Sequence, residues 1–124
     1  IEATVTNMED LGAKRNNIIS VIGPTIHKES YEIKKDVAKI VKKTKFYKNN
    51  HCILFRVNDE KYLFDLPLLI KESLKFSGIN NIRDIYMDTY EKSNLFFSHR
   101  KSSHKNFPEQ GKTGRHISVI GLIE

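Results

Sequence analysis

Apolar residues recur at helical spacing in three segments, and this pattern predicts three helices. The first covers residues 1–11 and ends at Gly12, and the second runs from Ile33 to Lys43. The third follows Asp65, a good N-cap residue, and ends at Gly78. The positions predicted to face inward are Ile1, Val5, Met8 and Leu11 in the first helix, Ile33, Val37, Ile40 and Val41 in the second, and Leu66, Leu69, Ile70 and Leu74 in the third.

Short apolar runs between the helices predict strands. Residues 18–22 predict a buried strand that Gly23-Pro24 ends, because proline has no N–H for a ladder. Residues 51–64 predict a hairpin whose first strand has one wholly apolar face, formed by Ile53, Phe55 and Val57. Two further strands are predicted at 82–87 and 117–122. Helices and strands alternate without a linker or a repeat, so we expect one mixed α/β domain over 1–124, with four to six strands in its sheet.

Composition restricts the cellular location of the protein more than it restricts its function. The 124 residues carry a net charge of +6, which attracts anions such as nucleotides, nucleic acid and phosphate, although lysine-rich composition alone explains it equally well. The lone Cys52 excludes an intramolecular disulfide and suits a reducing compartment, so we expect a cytoplasmic location. We expect no membrane span and no secretory signal, because the sequence shows neither a long apolar run nor a leader-like start.

The best candidate site in the sequence is an anion site near the C-terminus. Arg100 and Arg115 bracket a polar loop that could fold back so that both face one place. Arginine forks suit phosphate and carboxylate, and Lys112 with the backbone of 111–114 adds further donors. A flexible, solvated loop is an equally good interpretation of this composition.

Other chemistry finds less support. No Cys-x-x-Cys or His-Glu-x-x-His spacing is present, so we expect no metal site within this chain. Cys52 precedes an apolar run and reads as a small buried hydrophobe rather than a nucleophile. Neither a phosphate loop nor a nucleophile elbow is complete, and no RNA-binding module pattern is found, so nucleic acid is not an expected partner.

Six short motifs occur in a fixed order along the chain. They are Gly-Pro-Thr-Ile at 23–26, Tyr31-Glu32, Phe64-Asp65-Leu66, Thr89, Phe-Phe-Ser-His-Arg at 96–100 and Thr-Gly-Arg at 113–115. In this order they resemble the C-terminal half of the laccase-domain family, also called multicopper polyphenol-oxidase-like proteins, whose members are regarded as purine nucleoside enzymes. The resemblance covers nearly the whole chain. It implies a partial version of the layered laccase-domain fold.

The departures from the family pattern concern its chemistry. The family's metal-site and catalytic residues lie in Gln-Val-His-Gly, Ala-Asp-Cys and His-Ala-Gly-Trp-Arg-Gly, all upstream of the Gly-Pro motif and all absent here. Cys52 follows that motif, so it does not match the family cysteine. The family's Cys-Thr is Asp88-Thr89 here, and its Ser-Tyr-Arg is 98–100 with His99 at the centre. The resemblance therefore implies no catalytic residue and no metal ligand in this chain, with zinc or copper expected only in full-length members.

The resemblance implies phosphorolysis or deamination of purine nucleosides, and this chain matches only the supporting half. We expect a truncated or split protein that is inactive alone, and whether the protein is an enzyme stays open. The helical start at Ile1, which nothing caps, agrees with the loss of upstream chain. The expected binding wall is Gly23, Pro24, Arg100 and Arg115, facing a purine nucleoside or phosphate. Expected partners are a complementary N-terminal half or a second copy. The alternatives are a basic binding module, a subunit completed by another chain, and a degenerate pseudoenzyme.

Overall fold

A computed structural model describes residues 1–104 and 111–121 of the chain. In chain order the helices are α1 (Glu2–Asp10), α2 (Lys35–Lys43), α3 (Lys45–Asn49), α4 (Leu66–Phe76) and α5 (His99–Ser102). The strands are β1 (Ile19–Ile22), β2 (Glu32–Lys34), β3 (Leu54–Arg56), β4 (Lys61–Phe64) and β5 (Asn81–Asp84). Single 3₁₀ turns lie at Arg15–Asn17, Lys28–Ser30 and His51–Ile53. The mixed fold class predicted from the sequence is confirmed.

The described strands form two small sheets rather than the one sheet of four to six strands that was predicted. In the first, β1 and β5 are parallel, with Ile19 opposite Asn81 and Ile22 opposite Asp84. In the second, β2, β4 and β3 are antiparallel in that spatial order. The chain leaves β1 at Gly23-Pro24, where the ladder cannot continue regularly, and it forms the second sheet around the turn at 58–60.

Two buried clusters make up the core, and α4 lies between them. One cluster joins α2 to the antiparallel sheet through Ala38, Val41, Tyr62 and others. The second joins α1, β1 and the end of α4, with Val5, Ile22, Leu74 and Ile79 among its members. Leu66 and Leu69 pack on the first cluster, whereas Ile70 packs on the second. This one helix therefore ties the two sheets together.

The best-predicted element is α4. The Asp65 side chain accepts a hydrogen bond from the Leu68 N–H at 2.9 Å, which satisfies an orphan donor of the first turn. Pro67 occupies the first turn, where its missing N–H costs nothing. Gly78 follows the helix with φ +73°, a conformation that L side chains rarely adopt. The start and the end of α4 thus agree with the capping residues predicted from the sequence.

Several inward positions were predicted wrongly because the phase of the pattern shifts. Ile33 is buried, but it belongs to β2; the helix then begins at Lys35 and buries Ala38 and Val41, leaving Val37 and Ile40 exposed. Ile53 lies in a 3₁₀ turn, so both Ile53 and Leu54 are buried, while Phe55 and Val57 are exposed and the hairpin's apolar face is broken. Other positions that were predicted to be buried are exposed in the structure: Met8 in α1, Ile1 and Leu11 at its two ends, and Ile19 and Val21 in β1.

Two further predictions, a buried Cys52 and a strand at 117–122, disagree with the described residues. Cys52 is exposed in the 3₁₀ turn and is not the buried hydrophobe that its apolar neighbours suggested. The described part of the last predicted strand, 117–121, has no regular secondary structure, and its side chains are exposed; residue 122 lies outside the described range. Ile53, the apolar neighbour of Cys52, is fully buried, whereas the apolar side chains of 117–121 have no partner among the described residues that would bury them.

Candidate functional site

A hollow of about 490 Å³, which we call the Arg100 hollow, collects residues from distant parts of the chain. It is lined by Ile26, Tyr31, Thr89, Phe97, Ser98, His99, Arg100 and Ser103. All of these residues except Ser103 belong to four of the motifs noted in the sequence: the Gly-Pro turn, the Tyr-Glu pair, the threonine and the Phe-Phe-Ser-His-Arg segment. The fold therefore brings the motifs to one place.

The parallel pairing of β1 and β5 explains how Ile26 and Thr89 meet. Both follow the carboxyl end of their strand, and such ends lie at the same edge of a parallel sheet. Backbone hydrogen bonds continue the alignment beyond the strands: the Thr25 N–H donates to the Met87 carbonyl at 3.0 Å, and the Thr89 N–H donates to the Thr25 carbonyl at 3.0 Å.

Asp88, next to Thr89 in the chain, links two segments beside the Arg100 hollow. It is buried, and its Oδ1 accepts a hydrogen bond from the Tyr90 N–H at 2.8 Å. Its Oδ2 accepts one from the Ser30 hydroxyl at 2.6 Å. This aspartate occupies the position at which the family pattern has cysteine. Here it holds the approach to β2 against the turn after β5, and both its oxygens have partners.

Arg100 forms one side of the hollow. It lies on α5, where the Ser98 hydroxyl caps the first turn by accepting from the Lys101 N–H. The guanidinium lies over the Tyr31 ring, 5.3 Å from its centroid, and Nη2 donates to the Glu32 carbonyl at 2.9 Å. A guanidinium has five N–H donors, so this contact orients the fork and leaves donors for an anion.

Arg115 lines a different, neighbouring hollow of about 640 Å³, the Arg115 hollow. Its lining is Phe97, His99, Gly111, Lys112, Thr113, Gly114, Arg115 and His116. Phe97 and His99 line both hollows and separate the two arginines. Residues 111–116 lie beside the Arg100 region, but Arg100 and Arg115 line adjacent hollows rather than one.

Direct packing explains how the Thr-Gly-Arg segment is seated. A Cβ placed on Gly114 would come within 2.6 Å of the Phe97 ring, so any side chain there would push the segment away. The rings of Phe96 and His116 meet edge to face with centroids 6.0 Å apart. The glycine is therefore needed for the close approach that holds Arg115 beside His99.

Gly23 and Pro24 line neither hollow. Both are partly buried at the end of β1, shortly before Ile26, and a Cβ on Gly23 would lie 3.9 Å from the Ser118 hydroxyl. Their role in binding stays a prediction. Tyr31, Thr89 and His99 line the Arg100 hollow but were not predicted as binding residues, although each belongs to one of the motifs. Their common location could be known only from strand pairing.

Metal-binding chemistry has no matching donor set in the described residues. Across 1–104 and 111–121, no three His, Cys, Asp or Glu side chains converge on one point. Asp84 is instead engaged by Lys71, whose Nζ lies 2.8 Å from Oδ2. Burial alone would raise the pKa of Asp84, but the hydrogen bonds from Lys71 and the Tyr86 N–H outweigh it and hold that pKa below its usual value. These groups do not fit a zinc or copper site, and no step is assigned to a metal.

The family model for the multi-copper polyphenol oxidoreductase laccase matches residues 1–123. The chain belongs to this laccase-domain family. Two curated relatives are similar to it at 34% identity: the purine nucleoside phosphorylase RP494 of Rickettsia prowazekii (strain Madrid E), over 117 residues, and the purine nucleoside phosphorylase RC0672 of Rickettsia conorii (strain ATCC VR-613 / Malish 7), over 108 residues. The matches cover 90% and 87% of this chain but only 45% and 44% of the relatives.

Solved structures agree on the fold. The hypothetical protein YfiH of Bacillus licheniformis superposes with a TM-score of 0.71 at 23% identity, covering 81% of this chain and 38% of that one. The Neisseria meningitidis protein NMB0706 gives 0.67 at 20% identity, covering 77% and 39%. The laccase-domain chain thus spans less than half the length of the relatives that it matches. None of its described helices is long and apolar enough to cross a membrane.

Proposed function

We propose that this laccase-domain chain supplies one binding wall of a purine nucleoside enzyme and performs no catalysis by itself. The observation that carries the proposal is the Arg100 hollow, where four family motifs meet although they are separated in sequence. The printed names of the two Rickettsia relatives support the substrate class. A location in the cytoplasm fits the single cysteine, and it too remains our expectation.

The lining of the Arg100 hollow has the chemistry that a nucleoside or phosphate needs. Tyr31 and Phe97 offer aromatic surface to a purine, and Thr89 and Ser98 offer hydroxyls to a ribose. Arg100 provides a fork that is already oriented by its contacts with Tyr31 and the Glu32 carbonyl. Pre-orientation lowers the entropy lost on binding, so this wall suits an anion or a polar ring.

Catalysis requires groups that the described residues do not bring together. Family chemistry implies a zinc-bound water for deamination and cationic donors for phosphate. Among the described residues no three His, Cys, Asp or Glu side chains lie together, and this supports the expectation that the metal ligands come from elsewhere. We therefore expect the purified chain to release no base from adenosine or inosine and to bind no stoichiometric zinc. Base release by the chain alone at rates typical of enzymes would overturn the proposal.

Binding is the direct test of the wall. Titration calorimetry or ligand-observed NMR with inosine and with inorganic phosphate should detect binding that Arg100→Ala weakens by about tenfold, as expected for loss of a charged hydrogen bond. Arg83→Ala is a matched control, because Arg83 is exposed on β5 and lines neither hollow. Equal weakening by both substitutions would indicate that net charge alone attracts the ligand and would refute the role given to the hollow.

A second candidate function is a subunit completed by another chain, and the surface supports it. Ile19 and Val21 on β1 are 55% and 40% exposed, and Met87 and Leu95 are exposed beyond β5. Ile19 and Val21 are two positions apart on one strand and so share a face, and an exposed apolar strip of this kind marks an interaction surface. They favour completion over an independent basic module, whose surface would be polar. The occupant we propose is a complementary N-terminal half; a second copy is the other outcome.

Complementation separates these cases. The chain is co-purified with the part of the Rickettsia prowazekii relative that it does not match, and inosine phosphorolysis is assayed with each piece alone and with both. Activity that appears only in the mixture supports completion. A chain that stays monomeric in light scattering, gains no activity and binds no added half would leave the basic binding module as the better explanation.

A further inference from the structure

The positive charge of the chain is concentrated in and next to α2 and α3. Residues 34–48 contain seven of the 21 lysines and arginines but only one of the 15 aspartates and glutamates, Asp36. This segment therefore carries a net charge of +6, which is the net charge of the whole chain, and the 14 basic and 14 acidic side chains elsewhere balance. A lysine-rich composition by itself would spread the excess along the chain, so the concentration points to a local role.

Three of these lysines form a row on the outside of α2. Lys35, Lys39 and Lys43 are four residues apart, so their side chains lie on one face of the helix, and all three are exposed. The Lys35 Nζ lies 3.2 Å from the Glu60 Oε1, whereas in the described part of the chain no carboxylate lies within ion-pair distance of Lys39 or Lys43. Like charges at this spacing repel and weaken a helix, so the row is kept at a cost in stability.

Apolar side chains are exposed beside this row. Ile40 lies between Lys39 and Lys43 in the chain and is 68% exposed, and Val37, one turn earlier, is 40% exposed. Such groups gain free energy when they leave water, so positive charge and apolar surface occur together here. We define the lysine face as Lys35, Val37, Lys39, Ile40 and Lys43.

The neighbouring helix α3 adds to the charge. Lys45 and Lys48 are exposed and three residues apart on this helix. The Lys45 Nζ lies over the rings of Phe46 and Phe76, 5.5 and 5.0 Å from their centroids, and Phe76 is 47% exposed. Lysines and exposed apolar groups are thus also neighbours beyond the lysine face.

We propose that the lysine face docks on an anionic lipid surface. Ammonium groups attract many headgroups at once without needing a fixed geometry, and clusters of about four to eight basic residues on a helix are typical of proteins that bind such surfaces. Ile40 then reaches the boundary between headgroups and acyl chains, where an apolar side chain is stabilised. The association is peripheral, and it does not depend on the proposed nucleoside function.

Two other anionic partners fit the lysine face less well. A nucleic acid backbone attracts lysines, but it offers Ile40 no apolar contact, and 34–48 contains no arginine, whose fork suits phosphates and bases. An acidic peptide that binds as a helix needs a groove, whereas the lysine face is the convex side of one helix and lines neither hollow. Charge and shape therefore favour a flat, anionic surface with an apolar layer beneath it.

Vesicle co-sedimentation with the full chain tests the partner. The chain should bind vesicles of phosphatidylcholine that contain about one-third phosphatidylserine, should not bind phosphatidylcholine alone, and should bind more weakly at high salt. Binding to neither kind of vesicle would overturn the proposal. Tighter binding to a single-stranded RNA oligonucleotide or to poly-L-glutamate than to the anionic vesicles would also overturn it, because the lysine face would then serve nucleic acid or an acidic protein.

Paired lysine substitutions test the location. Lys39→Gln with Lys43→Gln should weaken binding to the anionic vesicles by roughly 20- to 30-fold, at about fivefold for each lysine. Lys14→Gln with Lys92→Gln is the control, because both lysines are exposed outside 34–48 and the net charge changes equally. The control should weaken binding by no more than about twofold, since its lysines are farther from the surface and screened by salt. Equal weakening by the two pairs would show that net charge alone attracts the vesicles.

Ile40→Gln tests the apolar contact separately from the charge. It should weaken binding to the anionic vesicles several-fold without changing the salt dependence, because it removes apolar surface and no charge. Ile40 is exposed, so the variant should keep the fold, which circular dichroism verifies. Unchanged affinity would refute the lipid assignment, because the lysine face would then act through charge alone.

Discussion

Replacing Glu72 with glutamine should destabilise the fold by about 1–3 kcal/mol, the cost of leaving a buried donor unpaired. Glu72 is only 4% exposed on α4, and its Oε2 accepts from the Asn49 Nδ2 at 2.8 Å. Its Oε1 accepts from the Asn50 Nδ2 and the Lys75 Nζ, at 3.3 Å each. Glutamine has one carbonyl oxygen, so its NH₂ must face at least one of these donors. The contact between α3 and α4 weakens as a result.

The same carboxylate makes the stability depend on pH. Burial alone would raise the pKa of Glu72, but hydrogen bonds from Asn50, Asn49 and Lys75 outweigh burial and leave that pKa below its ordinary value. Because the pKa in the folded state is lower than in the unfolded state, the stabilisation is complete above the unfolded value of roughly 4.3. It is lost as the pH falls through the folded pKa.

Urea unfolding followed by circular dichroism, at pH 7 and at several values between pH 5 and 3, measures both effects. Glu72→Gln should lower the free energy of unfolding at pH 7 and flatten its dependence on pH in the acid range. In thermal melts it should lower the melting temperature by about 4–12 °C. Glu91→Gln is the control: Glu91 is exposed in the turn after Thr89, so its change should stay within about 0.5 kcal/mol. A loss below that level for Glu72→Gln, with unchanged acid dependence, would refute the reasoning.

Three further substitutions test the residues that cap and end the helices. Gly78→Ala should cost more stability than Gly12→Ala in thermal melts. Both glycines have positive φ, which costs an L residue roughly 1–2 kcal/mol. A Cβ at Gly78 would also lie 2.9 Å from the Arg15 Cδ, whereas a Cβ at Gly12 would meet no atom within 4 Å. Equal losses would show that Arg15 moves aside freely. Asp65→Ala should cost about 1 kcal/mol in urea unfolding through loss of the N-cap of α4, and an unchanged midpoint would contradict that assignment.

The sequence by itself determined the elements whose signals are local. The Asp65 cap and the Gly78 stop bound α4 because side-chain capping and left-handed backbone act within a few residues. Gly23-Pro24 ends β1 for a similar reason. The ordered motifs predicted the family, and Arg100 and Arg115 predicted an anion site near the C-terminus.

Only the tertiary structure determines which residues are buried and which distant residues come together. Ile33 lies in a strand rather than in the predicted helix because it pairs with Tyr62 of β4. Cys52 is exposed because it lies in a 3₁₀ turn, which shifts the alternation of buried and exposed side chains. The Arg100 hollow exists because β1 and β5 are parallel, so that Ile26 and Thr89, 63 positions apart in sequence, emerge at one edge. Such pairing depends on contacts between distant segments, which no local pattern encodes.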